Sequence, residues 1–430
     1  MMDVAVKPQT FAGGVLQAPS SKSQSQRALL MAAMASGRSV VSNVLTSPDT
    51  DAMRKACTSI GATFRSDGPG RWQIDGVAGR PKMLDKTIDV GGSGQVLRFF
   101  SAMALIQPNR FRIQGDRSVH NLRCMKDFTT GISALGGGYC YLAKPGYAPI
   151  EFSGQLVSGH AVVEGGDSQV VSALLLASAH IEGVTTIQVT KPGELPWVTL
   201  TQSWLPGSVK MIPQQKQHRY MVVGSREKPA FTYEVPGDFS SIAYIVVAAG
   251  LVGAELTVQG LSWSDLQGDK RCIDIVQLMD QAGALERCPD GIQVRGKMRL
   301  VSNRTIDVND CIDMITIVAV VACYAEGETT ITGAAVSRQK ESDRLFTMVS
   351  ELRKMGARIT MHDDGLHIVG GPLQGADVES WQDHRVAMAL TVAALAATGP
   401  SVVRGVHCVA KSYARFFHDL QQIGASVERV

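Results

Sequence analysis

Groups able to work on an anionic substrate crowd into Ser337-Arg338-Gln339-Lys340-Glu341-Ser342-Asp343-Arg344, where residues 338–344 hold three cations and two anions. If the stretch is helical, Lys340 and Arg344 lie one turn apart on one face with Glu341 beside them. Two fixed cations with a carboxylate between them suit an anionic substrate that must also exchange a proton. A solvated face laced by i,i+4 pairs has the same composition, so the segment gains meaning only beside others like it.

Such turns recur. Pro19-Ser20-Ser21-Lys22-Ser23-Gln24-Ser25-Gln26-Arg27 is a Ser-rich helix start flanked by cations. Backbone N–H groups, hydroxyls, Lys22 and Arg27 there make a phosphate or carboxylate cradle, whereas capping alone explains a single serine. In Gly91-Gly92-Ser93-Gly94-Gln95-Val96-Leu97-Arg98 a dinucleotide fingerprint would need glycine at 97, where leucine stands. What remains is a turn that lets backbone approach a ligand, or a plain tight turn, with Arg98 in the following helix. Gly115–Arg123 is another polar turn before a helix, and Asp167-Ser168-Gln169 precedes a helix too apolar to face water. Asp313 stands directly before an apolar helix, a position suited equally to a cap and to a general base. Asp383-His384-Arg385 and Lys411-Ser412 open the last two helices. No G-x-S-x-G nucleophile accompanies His384 and Asp383, which disfavours a hydrolase triad.

The elements that position these turns are periodic. Leu345, Met348, Val349, Leu352 and Met355 fall on one helical stripe. Helical patterns end in a glycine turn followed by a strand at Ile60-Gly61, Leu135-Gly136, Ala282-Gly283, Met355-Gly356 and Ile423-Gly424, with a weaker copy at Pro206-Gly207. The period of about 70 residues exceeds ordinary solenoid units and suits a small layered α/β unit. Six copies make two domains of three units, with helices inside and sheets outside or the converse. Val4–Val15 reads as a strand-like opening, Lys191–Trp197 as a loop, and Gln214–Lys228 as a polar, exposed segment.

Bulk properties agree. A chain of 430 residues is too long for one ordinary core. Its 45% apolar and 19% charged residues describe a soluble globular protein, and a net charge of +3 is no footprint for nucleic acid. The eight cysteines form no C-x-x-C pair or Cys/His ligand spacing, and read as reduced, packed thiols. The N-terminus shows no secretory h-region, and the longest apolar runs, near 315–323 and 386–397, are short of the roughly 20 residues a membrane helix needs. A cytoplasmic protein with no membrane or nucleic-acid partner is expected.

Set side by side, the turns resemble the enolpyruvyl transferase family over the whole chain, and within it the branch acting on shikimate 3-phosphate. Pro19–Arg27 is similar to the family's P-x-S-K-S-x-x-x-R, Gly94 and Arg98 to N-x-G-T-x-x-R, and Ser168-Gln169 to S-S-Q. Pro236–Ser241 is similar to G-D-x-S-S, Asp313 to the acid of P-D-A-x-T, and Lys340–Arg344 to K-E-x-D-R. Asp383–Met388 matches D-H-R-x-A-M, and Lys411 the lysine of C-x-x-K-T/S. Each motif is weak by itself; eight in order are specific.

The resemblance implies an α/β fold, a two-domain inside-out α/β barrel of six βαβαββ units, three per domain. Its domains would be residues 1–18 plus 237–430 and residues 19–236, with the active site in the interdomain cleft. It implies phosphoenolpyruvate on Lys22, Gly94, Arg123, Gln169, Arg344, Arg385 and Lys411. Shikimate 3-phosphate would be held by Lys22, Ser23, Arg27, Ser168, Gln169, Asp313 and Lys340. Asp313 would be the base for the 5-hydroxyl, Glu341 the acid to C3 of phosphoenolpyruvate, and Lys22 the stabiliser of developing charge. No metal or other cofactor is implied, and a monomer is expected.

The chain departs from the family pattern at Gly92 and Val336, where the family has Asn, and at Asp167, where it has Ser. The S-x-P-Y loop has no clean match in Lys191–Trp197. Asp167 would set a carboxylate beside the expected phosphate unless a cation compensates. An enolpyruvyl transferase using a different hydroxyl acceptor, or a non-catalytic binding protein on the same scaffold, are the alternatives. Retained acids at Asp313 and Glu341 argue against the second.

Overall fold

The computed structural model describes residues 2–215 and 217–430. The chain divides into two compact units, Ser20–Val235 and a discontinuous one formed by Met1–Pro19 with Pro236–Val430.

In each unit three helices are buried almost throughout. They are Lys22–Met34, the π-turn Val96–Phe100 running into Ser101–Ala104, and Ser168–Ser178 in one unit. In the other they are Phe239–Val252, Ile315–Tyr324 and His384–Leu395. Their sequences explain this: Phe239–Val252 carries no charged residue, and a helix apolar on every side belongs in a core. Amphipathic helices accompany them, such as Arg344–Lys354, whose Leu345, Met348, Val349 and Leu352 are buried as the stripe predicts.

Around the helices lie six four-stranded sheets, three per unit, all wired alike. In the sheet of Val301–Asp307, Glu326–Thr332, Arg358–His362 and Gly365–Val369, the first two strands pair parallel and the last two close an antiparallel hairpin. This is one βαβαββ unit: Ile315–Tyr324 connects the parallel pair, and Arg344–Lys354 leads from the second strand to the hairpin. The N-terminal strands explain the discontinuity. Val4–Lys7 pairs with Ser401–Arg404 and Ser426–Arg429, and Gly13–Gln17 pairs parallel with Glu255–Gln259. Helices inside and six repeats are the observed arrangement. Gly61, Gly136, Gly207, Gly283, Gly356 and Gly424 all take left-handed φ, between +66° and +102°, so the weaker copy at Pro206-Gly207 marks a genuine repeat.

Two expectations are corrected. Residues 340–343 are not helical: Asp343 is the N-cap, accepting from the Phe346 N–H, and the helix begins at Arg344. A short polar cap outcompeted the i,i+4 pattern. Gln214–Lys228 is not a plain exposed segment, because Gln217–Gly224 is an inner strand with Tyr220 and Val222 buried. Its alternating pattern was masked by flanking polar residues. All eight cysteines are free thiols. Among the described residues no helix is long and apolar enough to cross a membrane.

Candidate active-site residues

In the Ser20–Val235 unit the Ser-rich helix start divides its labour. Ser21 caps the helix, Ser20 donates to Asn43, and Ser25 accepts from the Leu45 N–H. Ser23 alone turns to the cations, accepting from Arg27 Nη1 at 2.5 Å and from Gln95 at 2.8 Å. Arg27 is 2% exposed and lies over the Phe99 ring, with its remaining donors on Thr201 and Trp197 main chain. No carboxylate is within ion-pair reach of it among the described residues. Burial pushes its pKa down to about 9, which marks a cation awaiting an anion. Lys22, on the first helical residue, has Asp49 at 3.3 Å.

A second cluster forms where three turns meet. Arg98 pairs with Asp167 at 3.0 Å and donates to Gln169 Oε1 at 3.3 Å and to the Cys124 carbonyl at 2.9 Å. The charge of Asp167 is therefore compensated, and its carboxylate also caps helix Ser168–Ser178. Gly94 sits so close that a Cβ there would lie 2.6 Å from Arg123 Nη1 and 2.7 Å from Gln169 Oε1. Ser168 gives its N–H and its hydroxyl to Glu194, a buried residue with left-handed φ of +48°. Glu194 was not among the expected residues. It occupies the loop where the S-x-P-Y match failed, and only folding reveals what it reaches.

In the discontinuous unit the guanidinium of Arg344 is the centre. It is 1% exposed on its side chain and touches three acids: Asp383 at 2.9 Å, Asp313 at 2.6 Å and Glu341 at 3.1 Å. Arg385 takes the other Asp313 oxygen at 3.0 Å and has Asp269 at 3.6 Å. Glu341 also meets Lys411 at 3.0 Å, with His384 Nδ1 at 3.9 Å. Lys340, buried, adds positive potential at Asp313. Asp313 caps no helix; it lies inside the short helical segment Asn309–Met314 with its carboxylate committed to the two guanidiniums. Burial alone would raise its pKa, but Arg385, Arg344 and Lys340 hold it well below the usual carboxylate range.

Asp269 is the residue that motif reading missed altogether. It is fully buried, accepts from Ser240 at 2.5 Å, and its pKa is raised to about 7 chiefly by burial, against the pull of Arg385. Asp383, the acid of the D-H-R-x-A-M match, is as fully buried as Asp269 and is bound to Arg344, Ser342 and the Arg385 N–H.

Chain-wide comparison decides the family. Residues 6–420 match the EPSP synthase (3-phosphoshikimate 1-carboxyvinyltransferase) family. This chain belongs to the EPSP synthase family. The 3-phosphoshikimate 1-carboxyvinyltransferase of Chlamydia pneumoniae is 35% identical, over 100% of this chain and 95% of that one. The enzyme of the same name from Methanococcoides burtonii is 36% identical, over 96% of each chain. Among solved structures, the EPSP synthase of Acinetobacter baumannii superposes with a TM-score of 0.81 at 26% identity, covering 100% of both chains. The enolpyruvyl transferase NikO from Streptomyces tendae shares the fold, with a TM-score of 0.77 at 18% identity over 100% of this chain and 99% of that one. The two-domain enolpyruvyl transferase fold is therefore that of this EPSP synthase family member.

Proposed function

We propose that the protein transfers the enolpyruvyl group of phosphoenolpyruvate to the 5-hydroxyl of shikimate 3-phosphate and releases phosphate. Family membership supports the reaction, and one observation supports the chemistry: a carboxylate, Asp313, held ionised between Arg344 and Arg385. In this reading the domains follow residues 1–18 with 237–430 and residues 19–236, and residues of both engage the substrates.

Phosphoenolpyruvate is taken by Lys22, Gly94, Arg123, Gln169, Arg344, Arg385 and Lys411. Its carboxylate and phosphate replace protein acids as partners of these cations. Shikimate 3-phosphate is taken by Lys22, Ser23, Arg27, Ser168, Gln169, Asp313 and Lys340, with the buried, acid-free Arg27 as the strongest receptor for its negative charge. As the incoming anion draws Arg344 and Arg385, Asp313 loses part of its compensation and becomes a better base. It accepts the 5-hydroxyl proton as that oxygen bonds to C2, while Glu341 delivers a proton to C3. In the tetrahedral adduct the departing phosphate takes the proton held by Asp313 and a C3 proton returns to Glu341, which restores the enol ether, the Asp313 carboxylate and the Glu341 acid. Lys22 stabilises the charge developing on the phosphate side. The working form is a cytoplasmic monomer.

The test is phosphate release from the purified protein with phosphoenolpyruvate, with and without shikimate 3-phosphate. Release must need both substrates, and Asp313→Asn must lower kcat by about 100-fold or more, the usual span for a lost general base. Release with phosphoenolpyruvate alone would refute the assigned acceptor.

A further inference from the structure

Beside Gln24 of the Lys22–Met34 helix, the Ser20–Val235 unit contains a cavity of about 450 Å³ walled by Trp204, Phe231 and Tyr233 and lined also by Ser208 and Lys228. The volume is in the range of about 300–1,000 Å³ that holds small organic ligands. The rings form one aromatic wall, with Trp204 5.8 Å from Phe231 and 4.6 Å from Tyr233 between centroids.

Lys228 is the chemically telling residue. It is half-buried, donates to Ser208 Oγ at 3.2 Å, and has no carboxylate in ion-pair reach among the described residues. The charges around it are otherwise engaged: Arg226 faces Glu182 at 4.0 Å and Glu227 faces Arg80 at 3.4 Å. The titratable neighbour that feels its charge, His180, is buried with its pKa pushed down to about 4, so it is neutral. Burial likewise lowers the Lys228 pKa. A cation partly withdrawn from water, beside a wall of rings and without an acid, is complementary to an anion that carries an apolar ring. Inorganic phosphate would leave the aromatic wall unmatched, and a neutral ring would leave Lys228 unpaired.

We propose that this cavity is a binding site for a small aromatic carboxylate, its ring against Trp204, Phe231 and Tyr233 and its carboxylate on Lys228. The site takes a ligand class different from either substrate, and none of these four residues carries a role in the proposed reaction.

Calorimetric titration of the full chain with 2-naphthoate and with neutral 2-naphthamide tests this, with shikimate 3-phosphate and inorganic phosphate present in saturating amounts to fill both substrate anion sites. Naphthoate should bind at one site and naphthamide about tenfold more weakly or worse. Lys228→Met should weaken naphthoate by about tenfold or more, and Lys228→Arg should restore binding to within about threefold of the parent, each variant unfolding at the parent's temperature. No naphthoate binding, equal affinity for the amide, or undiminished affinity in Lys228→Met would overturn the proposal.

Discussion

Ser168 gives both its backbone N–H and its hydroxyl to one carboxylate oxygen of Glu194, at 2.9 and 2.8 Å. Under the proposed assignment these donors belong to shikimate 3-phosphate, so Glu194 holds what an incoming phosphate requires. Like charges cannot share them, and Glu194 must withdraw first. Glu194→Gln should therefore lower KM for shikimate 3-phosphate by about 3- to 10-fold, a shift in the range of one charged hydrogen bond, with KM for phosphoenolpyruvate unmoved. Steady-state kinetics with each substrate varied decides it; a raised KM would show that Glu194 assists binding.

Gly94 allows Arg123 and Gln169 to approach where any side chain would intrude, at 2.6 and 2.7 Å from an added Cβ. Gly94→Ala should push Arg123 aside and raise KM for phosphoenolpyruvate by about tenfold or more, since a displaced guanidinium loses a charged hydrogen bond. KM for shikimate 3-phosphate should change far less. Equal effects on both would mean the turn as a whole had been distorted.

Arg344 compensates three acids, of which Asp383 is fully buried. Arg344→Met should destabilise by about 3–5 kcal/mol, because removing one partner leaves buried charge unpaired. Urea unfolding should show a lower midpoint at unchanged slope. A loss under about 1 kcal/mol would mean that water reaches Asp383 when the guanidinium is gone.

Asp269 should make stability fall with rising pH. Its carboxyl is raised to about 7 in the folded chain, by burial first and Asp313 also, against an ordinary value near 4. A raised pKa contributes stability that is present below about pH 4 and lost as pH rises through 7. Asp269→Asn removes the titration, so its melting-temperature advantage over the parent should grow from pH 5 to pH 8. A constant difference would place the titrating group elsewhere.

By itself the sequence determined what is local or repeated. The stripe from Leu345 to Met355, the all-apolar helices and the glycines closing each repeat follow from periodicity and backbone sterics, which need no partner. The basic turns at Lys22, Arg98, Arg123, Lys340, Arg344, Arg385 and Lys411 could be named, and their order identified the family, because short motifs carry their identity in residue type and spacing. Tertiary structure alone decided which acid answers each cation. Asp49 for Lys22, Asp167 for Arg98, Asp383 for Arg344, and Asp269 with Asp313 for Arg385 are brought together mostly from separate repeats. Coulombic pairing acts through space, and burial sets its strength, so neither partner nor pKa is written in local sequence. Residues 340–343 mark the boundary: their charge pattern suited a helix, but Asp343 caps the helix that begins at Arg344, and Glu341 meets Arg344 and, from a distant turn, Lys411.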